Sequence, residues 1–334
     1  MNRQEEFDIA KGIAIYLVVL GHLLSQVAGK EIILITFCHM PVFFWISGYF
    51  LNKRLGKWGG VEYKDLVSKR IDRLLVPYIF WSFISLAVNV AMRLVSSKMC
   101  FADFLDEFIN IFIFSRSVWF LIVLLISELI CILACYVTKV YKYNMYVILL
   151  IVWFLISMLP IDSFFYIYKF KWLFPFFILG MLCDEYEIYD KTNKKVYLIG
   201  LLFIVGRFLF YNEKHFEEYV SFAYSSAKSL LVGMIYYVLS TLSICLVFAI
   251  AIWTNRIVGS HYLALVGRYS LEVYVIHMLF VKFVSFVPDI VMSNDVYIYI
   301  YFAIYAVIII IAIVLISKYI LEKVKLFRIA VGKI

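Results

Sequence analysis

Charge is scarce in this sequence. Only 16% of its 334 residues are Asp, Glu, Lys or Arg, against 65% hydrophobic, and its mean hydropathy is +0.95. Soluble globular domains carry about 25% charged and about 45–50% apolar residues. A water-soluble protein of this size has too little interior to hide so much apolar surface. A soluble domain is therefore excluded, and the bilayer is the solvent. Proline and glycine are few as well, at five and fourteen, which leaves long helices uninterrupted. No Cys-x-x-Cys pair occurs. Cys38, Cys100, Cys131, Cys135, Cys183 and Cys245 mostly fall inside apolar runs. They read as small buried hydrophobes, and neither a metal nor a disulfide framework is expected. Glu5, Glu6 and Asp8 precede the first apolar run, and no small-residue cleavage site follows it. A removable signal peptide is not expected. Repeats and low-complexity linkers are also lacking.

What the sequence has is long apolar runs. A spanning helix needs about 20 mostly apolar residues. Ten stretches are candidate spans, roughly 9–28, 32–51, 74–97, 118–137, 145–160, 170–183, 196–211, 229–252, 263–287 and 297–321. They predict an all-α, polytopic bundle of about ten transmembrane helices, one domain over 1–334 with no appended soluble domain. The fifth and sixth are short and flank Pro160 and Pro175, so they are expected to be tilted, broken or partly re-entrant. Residues 101–114, with Asp103, Asp106 and Glu107, suit a helix on the membrane surface.

A net charge of +8 raises the question of nucleic acid. The basic residues answer it, because they fall in the gaps between apolar runs, as they do in cytoplasmic loops. The 52–73 gap holds Lys53, Arg54, Lys57, Lys64, Lys69, Arg70 and Arg73. Lys139 and Lys142, then Lys191, Lys194 and Lys195, then Arg256, and finally the C-terminal tail from Lys318 onward continue the pattern. Glu213, Glu217, Glu218, Asp289 and Asp295 mark the opposite side. Ten spans make these loops alternate from end to end and put both termini in the cytoplasm. Membrane lipids are expected partners and nucleic acid is not.

Ionisable groups inside a bilayer are costly and point to function. Asp8, Lys11 and His22 lie in the first span. Lys11 and His22 are eleven residues apart, about three turns, so they share a face about 16 Å apart along the axis. Asp8 is one turn before Lys11 and can pair with it. Lys11 either snorkels to the headgroups or belongs to a site. His22 either bonds a backbone carbonyl or does chemistry. His39 precedes Pro41 in the second span. Arg70, Arg73 and Pro77 form RxxRLLVP, whose arginines grip either lipid phosphates or a phosphorylated cofactor. Glu272 and His277 stand five residues apart in YSLEVYVIH, on different helix faces.

These residues together resemble the acyltransferase-3 family of membrane acyltransferases, which includes sugar O-acetylases. Asp8-Ile9-Ala10-Lys11-Gly12 with Gly21-His22 looks like the family's (Arg/Lys)-x10-His motif, with lysine where many members have arginine. FCHMPVFFWISGYFL at 37–51, KRIDRLLVPYIFWS at 69–82, Val118-Trp119-Phe120-Leu121, FPFFILG at 174–180 and YSLEVYVIH at 269–277 resemble later motifs in the family's order. The resemblance spans essentially the whole chain.

The resemblance implies transfer of an acyl group, usually acetyl from cytoplasmic acetyl-CoA, to a hydroxyl of a cell-surface polysaccharide or lipid-linked sugar. It implies a multi-pass protein of a bacterial plasma membrane. Lys11, Arg70 and Arg73 are then expected at the donor's phosphates, and His22 as general base or as a covalent acyl-histidine. Trp119 is expected either to stack on a sugar ring or to sit in the interfacial aromatic belt. His277, His39 and Glu272 are expected to meet the substrate. No metal is expected. A different acyl donor such as succinyl-CoA, a lipid-linked glycan transporter or flippase, and a non-enzymatic scaffold are the rival readings. Some family members carry a further extracytoplasmic domain; with none here, transfer is expected within the membrane domain.

Overall fold

The structure is a computed structural model that describes residues 5–28, 33–56, 63–96, 101–114, 118–141, 144–159, 164–187, 196–210, 213–223, 226–281 and 295–333. Among the described residues there is no strand. In chain order the helices are α1 (Glu5–Ala28), α2 (Ile33–Gly56), α3 (Tyr63–Arg70), a π turn (Ile71–Leu75), α4 (Val76–Ser96), α5 (Phe101–Phe112), α6 (Trp119–Tyr141), α7 (Met145–Ser157), a 3₁₀ turn (Phe164–Tyr166), α8 (Ile167–Glu185), α9 (Val196–Phe210), α10 (Glu213–Ser221), α11 (Ala227–Thr254), α12 (Ser260–Arg268), α13 (Ser270–Val281), α14 (Asp295–Ile316), a second π turn (Ser317–Leu321) and α15 (Lys325–Ala330).

A helix lies in each of the ten expected stretches. Among the described residues, six segments are long and apolar enough to cross a bilayer: Glu5–Ser25, Tyr63–Leu94, Trp119–Tyr141, Phe164–Glu185, Ala227–Thr254 and Tyr297–Leu321. The bent pair of α12 and α13 passes the same test only when taken together, as a broken span or a re-entrant loop. The chain is thus an all-helical, polytopic membrane protein. Pro160, Lys57, Lys142, Lys191, Lys194, Lys195 and Asp289 lie outside the described residues.

One stretch expected to be a straight rod is bent, and one expected to be tilted, broken or partly re-entrant at Pro175 is a continuous helix there. The run 263–287 is broken, and the axes of α12 and α13 differ by 79°. Tyr269 leaves helical geometry at φ −99°, and its N–H returns to the Leu265 carbonyl to finish α12. Its own carbonyl then accepts the Val273 N–H and starts α13. α8, in contrast, is not broken at Pro175, which sits inside a continuous helix. Its irregularity comes earlier, where Phe165 and Tyr166 take left-handed φ values of 46° and 53°. The RxxRLLVP stretch is helical throughout, but through a π turn in which the Val76 N–H bonds the Ile71 carbonyl. Pro77 brings no N–H, and its ring would crowd the carbonyl of Arg73 in a tight α turn. The wider π turn relieves that clash.

The chain divides into two compact units. The first comprises Met1–Ile46, Glu187–Phe216 and Ser226–Val324. Helix α1 is its spine, packing against α11, α12, α13 and α14. Contact with α12 is close because both helices offer glycine: a Cβ on Gly267 would strike the Asp8 carbonyl, and one on Gly12 would strike that of Leu263. Small residues that let backbones touch are how helices associate in lipid, where burial of apolar area gives no drive. Phe7, Trp45 and Phe248 interlock beside this seam, with Phe7 and Trp45 each edge-on to Phe248 at 5.2 and 4.9 Å between ring centroids.

The second unit comprises Ser47–Tyr186, Glu217–Ser225 and Lys325–Ile334. Helix α6 packs against α3, the first π turn, α7 and α8. The C-terminal segment closes on α4 here: the buried Trp81 indole donates to the Ala330 carbonyl at 2.9 Å. Gly332, at φ +70°, passes so near the Arg73 carbonyl that a Cβ would come to 2.7 Å of it. Helix α5 carries its acids on one side, where Glu107 accepts from Arg93 at 2.8 Å and from Asn89 at 2.7 Å on α4.

Candidate active site

In the first unit, α1 runs unbroken from Glu5 to Ala28, so Lys11 and His22 keep their common face. Lys11 Nζ lies 2.7 Å from Asp8 Oδ1, the pairing its spacing called for. Asp8 is buried, whereas the Lys11 side chain keeps 20% exposure. His22 is exposed. Its carbonyl accepts from the Ser25 hydroxyl at 3.0 Å.

The bend after α12 turns α13 so that His277 meets His22. The two imidazole centroids are 5.2 Å apart, with planes tilted by 39°. His277 is 1% exposed. Its Nδ1 faces the carbonyls of Val273 at 3.0 Å and Tyr274 at 2.7 Å. Both are acceptors only, so Nδ1 carries the proton. Nε2 is then the lone-pair side of the ring, and that atom is buried with no hydrogen-bond partner. Glu272, on the same helix, is equally buried. Tyr269, at the bend, donates to Glu322 Oε1 at 3.0 Å. His39 is half-buried in α2.

The second unit holds a different charged locus. Arg70 and Glu128 are both buried, with Nε 3.4 Å from Oε2. Arg54 is held down at about 10, first by desolvation, then by the charges of Arg70 and Arg73, with Glu128 opposing. It keeps part of its surface exposed while protein crowds the rest. The charges of Arg70, Arg73 and Arg54 all act on the single carboxylate of Glu128. Trp119 is half-buried and stacks parallel to Tyr166 at 6.1 Å. Lys169 Nζ lies 5.6 Å from the Trp119 ring and 5.0 Å from those of Tyr168 and Trp172.

The structure therefore brings Asp8 to Lys11 and His22 to His277. It sets Arg70 beside Arg73 and Arg54. Glu128, Arg54 and Lys169 were not among the residues the motifs singled out. The signal for Glu128 was present, as the only carboxylate between Trp119 and Tyr141 in an otherwise apolar run. Among the described residues no three His, Cys, Asp or Glu side chains gather as a metal site.

A unit with a paired lysine and two neighbouring imidazoles in apolar helices defines a class: integral membrane proteins with ionisable groups inside their helices. The family follows from the comparison of sequences. The acyltransferase-3 family profile, described as an acyltransferase domain, matches residues 4–317, and the chain belongs to that family. It is similar to Nodulation protein NolL of Sinorhizobium fredii (strain NBRC 101917 / NGR234), 30% identical over 205 residues that cover 58% of this chain and 51% of that protein. It is also similar to Nodulation protein NolL of Mesorhizobium japonicum (strain LMG 29417 / CECT 9101 / MAFF 303099), 35% identical over 89 residues, 24% of this chain and 23% of that protein. The chain spans about half the length of the first of these relatives and about a quarter of the second. No solved structure matches.

Proposed function

We propose that the protein is an O-acetyltransferase of a bacterial plasma membrane. It moves acetyl from cytoplasmic acetyl-CoA to a hydroxyl of a cell-surface polysaccharide or lipid-linked sugar. The observation that carries the reading is His22: in a chain of an acyltransferase family, an exposed imidazole stands on the same helix face as a basic residue, about 16 Å away. That span suits a thioester on a long, thin pantetheine arm with its phosphates at the Lys11 end.

His22 removes the proton of the acceptor hydroxyl as its oxygen attacks the thioester carbonyl. The C–S bond breaks, the ester forms, and the imidazolium returns its proton to the leaving thiolate, giving free coenzyme A. Lys11 neutralises phosphate charge, and Asp8 holds the ammonium in place. Arg70 and Arg73 are proposed as donor-phosphate contacts in the second unit, with Arg54 adding charge and Glu128 fixing Arg70. His39 and Glu272 are proposed acceptor contacts, and Trp119 a stacking ring for sugar. Each of these roles is proposed for its own unit. We further propose ten spans, cytoplasmic termini and one functional domain.

The test is acetyl transfer in membranes holding wild type or His22→Ala, given radiolabelled acetyl-CoA and total cell-surface glycan extract. Label in an alkali-labile glycan ester with wild type alone supports the reading. Equal transfer by both proteins overturns His22 as the base. Transfer from succinyl-CoA in place of acetyl-CoA would move the donor assignment. No acetyl-CoA binding by the purified protein would favour a transporter.

A further inference from the structure

We propose that His277 is a positioning residue for His22: its Nε2 accepts a hydrogen bond from the His22 ring and directs the other His22 nitrogen to act as the base. The proposal deepens the acyl-transfer reading and rests on it. It also departs from the sequence expectation that His277 meets the substrate.

Three observations carry it. The Nδ1 proton of His277 is committed to two backbone carbonyls of its own helix, so this ring cannot change tautomer without losing both contacts. Nε2 is buried and unpartnered, and a buried acceptor without a donor is a cost that a native site resolves. The ring beside it is His22, at 5.2 Å between centroids. Ring nitrogens turned toward each other at that spacing come within about 3 Å, which is hydrogen-bond range.

The consequence is chemical. Neutral imidazole has one N–H and one lone pair, and which nitrogen holds which decides whether it can act as a base on a given side. With its N–H spent on His277, the His22 lone pair must point away from α13. When His22 takes the acceptor's proton it becomes imidazolium, and the bond to His277 becomes charge-assisted and stronger. His277 stays neutral throughout and moves no proton of its own. An orienting group on the far nitrogen is the general logic of a histidine base.

The experiment uses full-length protein in detergent with ¹⁵N-histidine; with five histidines in the chain, His22 is assigned by loss of its signals in His22→Ala. Wild type is expected to show a single neutral His22 tautomer. His277→Phe, which keeps a ring and removes the acceptor, is expected to give mixed tautomers. It should lower kcat about 10²-fold with the KM for acetyl-CoA unchanged. His277→Gln, whose side-chain oxygen accepts in place of Nε2, is expected to recover part of both. Unchanged His22 shifts in His277→Phe overturn the proposal. So does a loss confined to the KM of the acceptor, which would make His277 a substrate contact. If His22→Ala still transfers acetyl, the base reading fails, while the ¹⁵N shifts still decide whether the two rings are bonded. Membrane level and monodispersity of His277→Gln separate misfolding from either result.

Discussion

The two units each bury charge, and they do so in opposite ways. In the first, Asp8 and Lys11 are one turn apart on α1, the lysine keeps contact with its surroundings, and His22 stands exposed on the same helix. In the second, Arg70 and Glu128 come from distant parts of the chain and both lie inside the protein. The first arrangement keeps its charged and titratable groups partly exposed. The second commits Arg70 to Glu128, since a buried guanidinium is tolerable only while its carboxylate is present. A pair within one helix is set by local spacing, and a pair between helices by the packing that brings them together.

The sharpest way to break this contrast is His22→Ala. Removing a general base costs about 10²–10⁴-fold in rate, so transfer is expected to vanish in the label assay while membrane level stays normal. Next in size is Glu128→Gln, which leaves the Arg70 charge buried and unmatched. It is expected to destabilise the second unit by about 3–5 kcal/mol, seen as a lowered unfolding midpoint in detergent. The double change Arg70→Met with Glu128→Leu should be neutral or stabilising for the fold by about 1–4 kcal/mol. If it also retains donor affinity, Arg70 is not a phosphate contact.

Gly267→Ala comes third. The added methyl meets the Asp8 carbonyl and should cost about 1–3 kcal/mol by forcing α12 off α1. Because that seam sets the approach of α13 to His22, activity is expected to fall with stability. Lys11→Ala should raise the KM for acetyl-CoA by roughly 10-fold, about 1.4 kcal/mol, and Lys11→Arg should do so less. Equal loss in both variants would make size rather than charge the requirement. The smallest effect is expected from Arg93→Ala: its side chain is 49% exposed, and such pairs are worth about 0–1 kcal/mol.

Much of the fold was legible in the chain. Apolar length alone located helices in all ten expected stretches, because backbone groups in lipid must be satisfied within the segment. The Asp8–Lys11 pair and the shared face of Lys11 and His22 followed from helical periodicity. The break at Tyr269 was not legible. Apolar runs on either side of it read as one span, and no proline or glycine marks that residue. Continuity through Pro175 was equally hidden, since a helix in lipid tolerates proline where its neighbours compensate. Glu128 was visible as an acid in an apolar run, but its partner was not, because nothing local connects residue 128 to residue 70.

Composition and periodicity determined the class of solvent, the helical fold and the one-helix pairings, all of which depend on contacts within a few residues. The family motifs marked His22 and the residues around it. Tertiary structure alone decided that α12 and α13 bend by 79°, that His277 faces His22, and that Arg70 has Glu128 for a counter-ion. Those facts depend on which helix packs against which, and in lipid that choice rests on close steric fit rather than on any pattern along the chain.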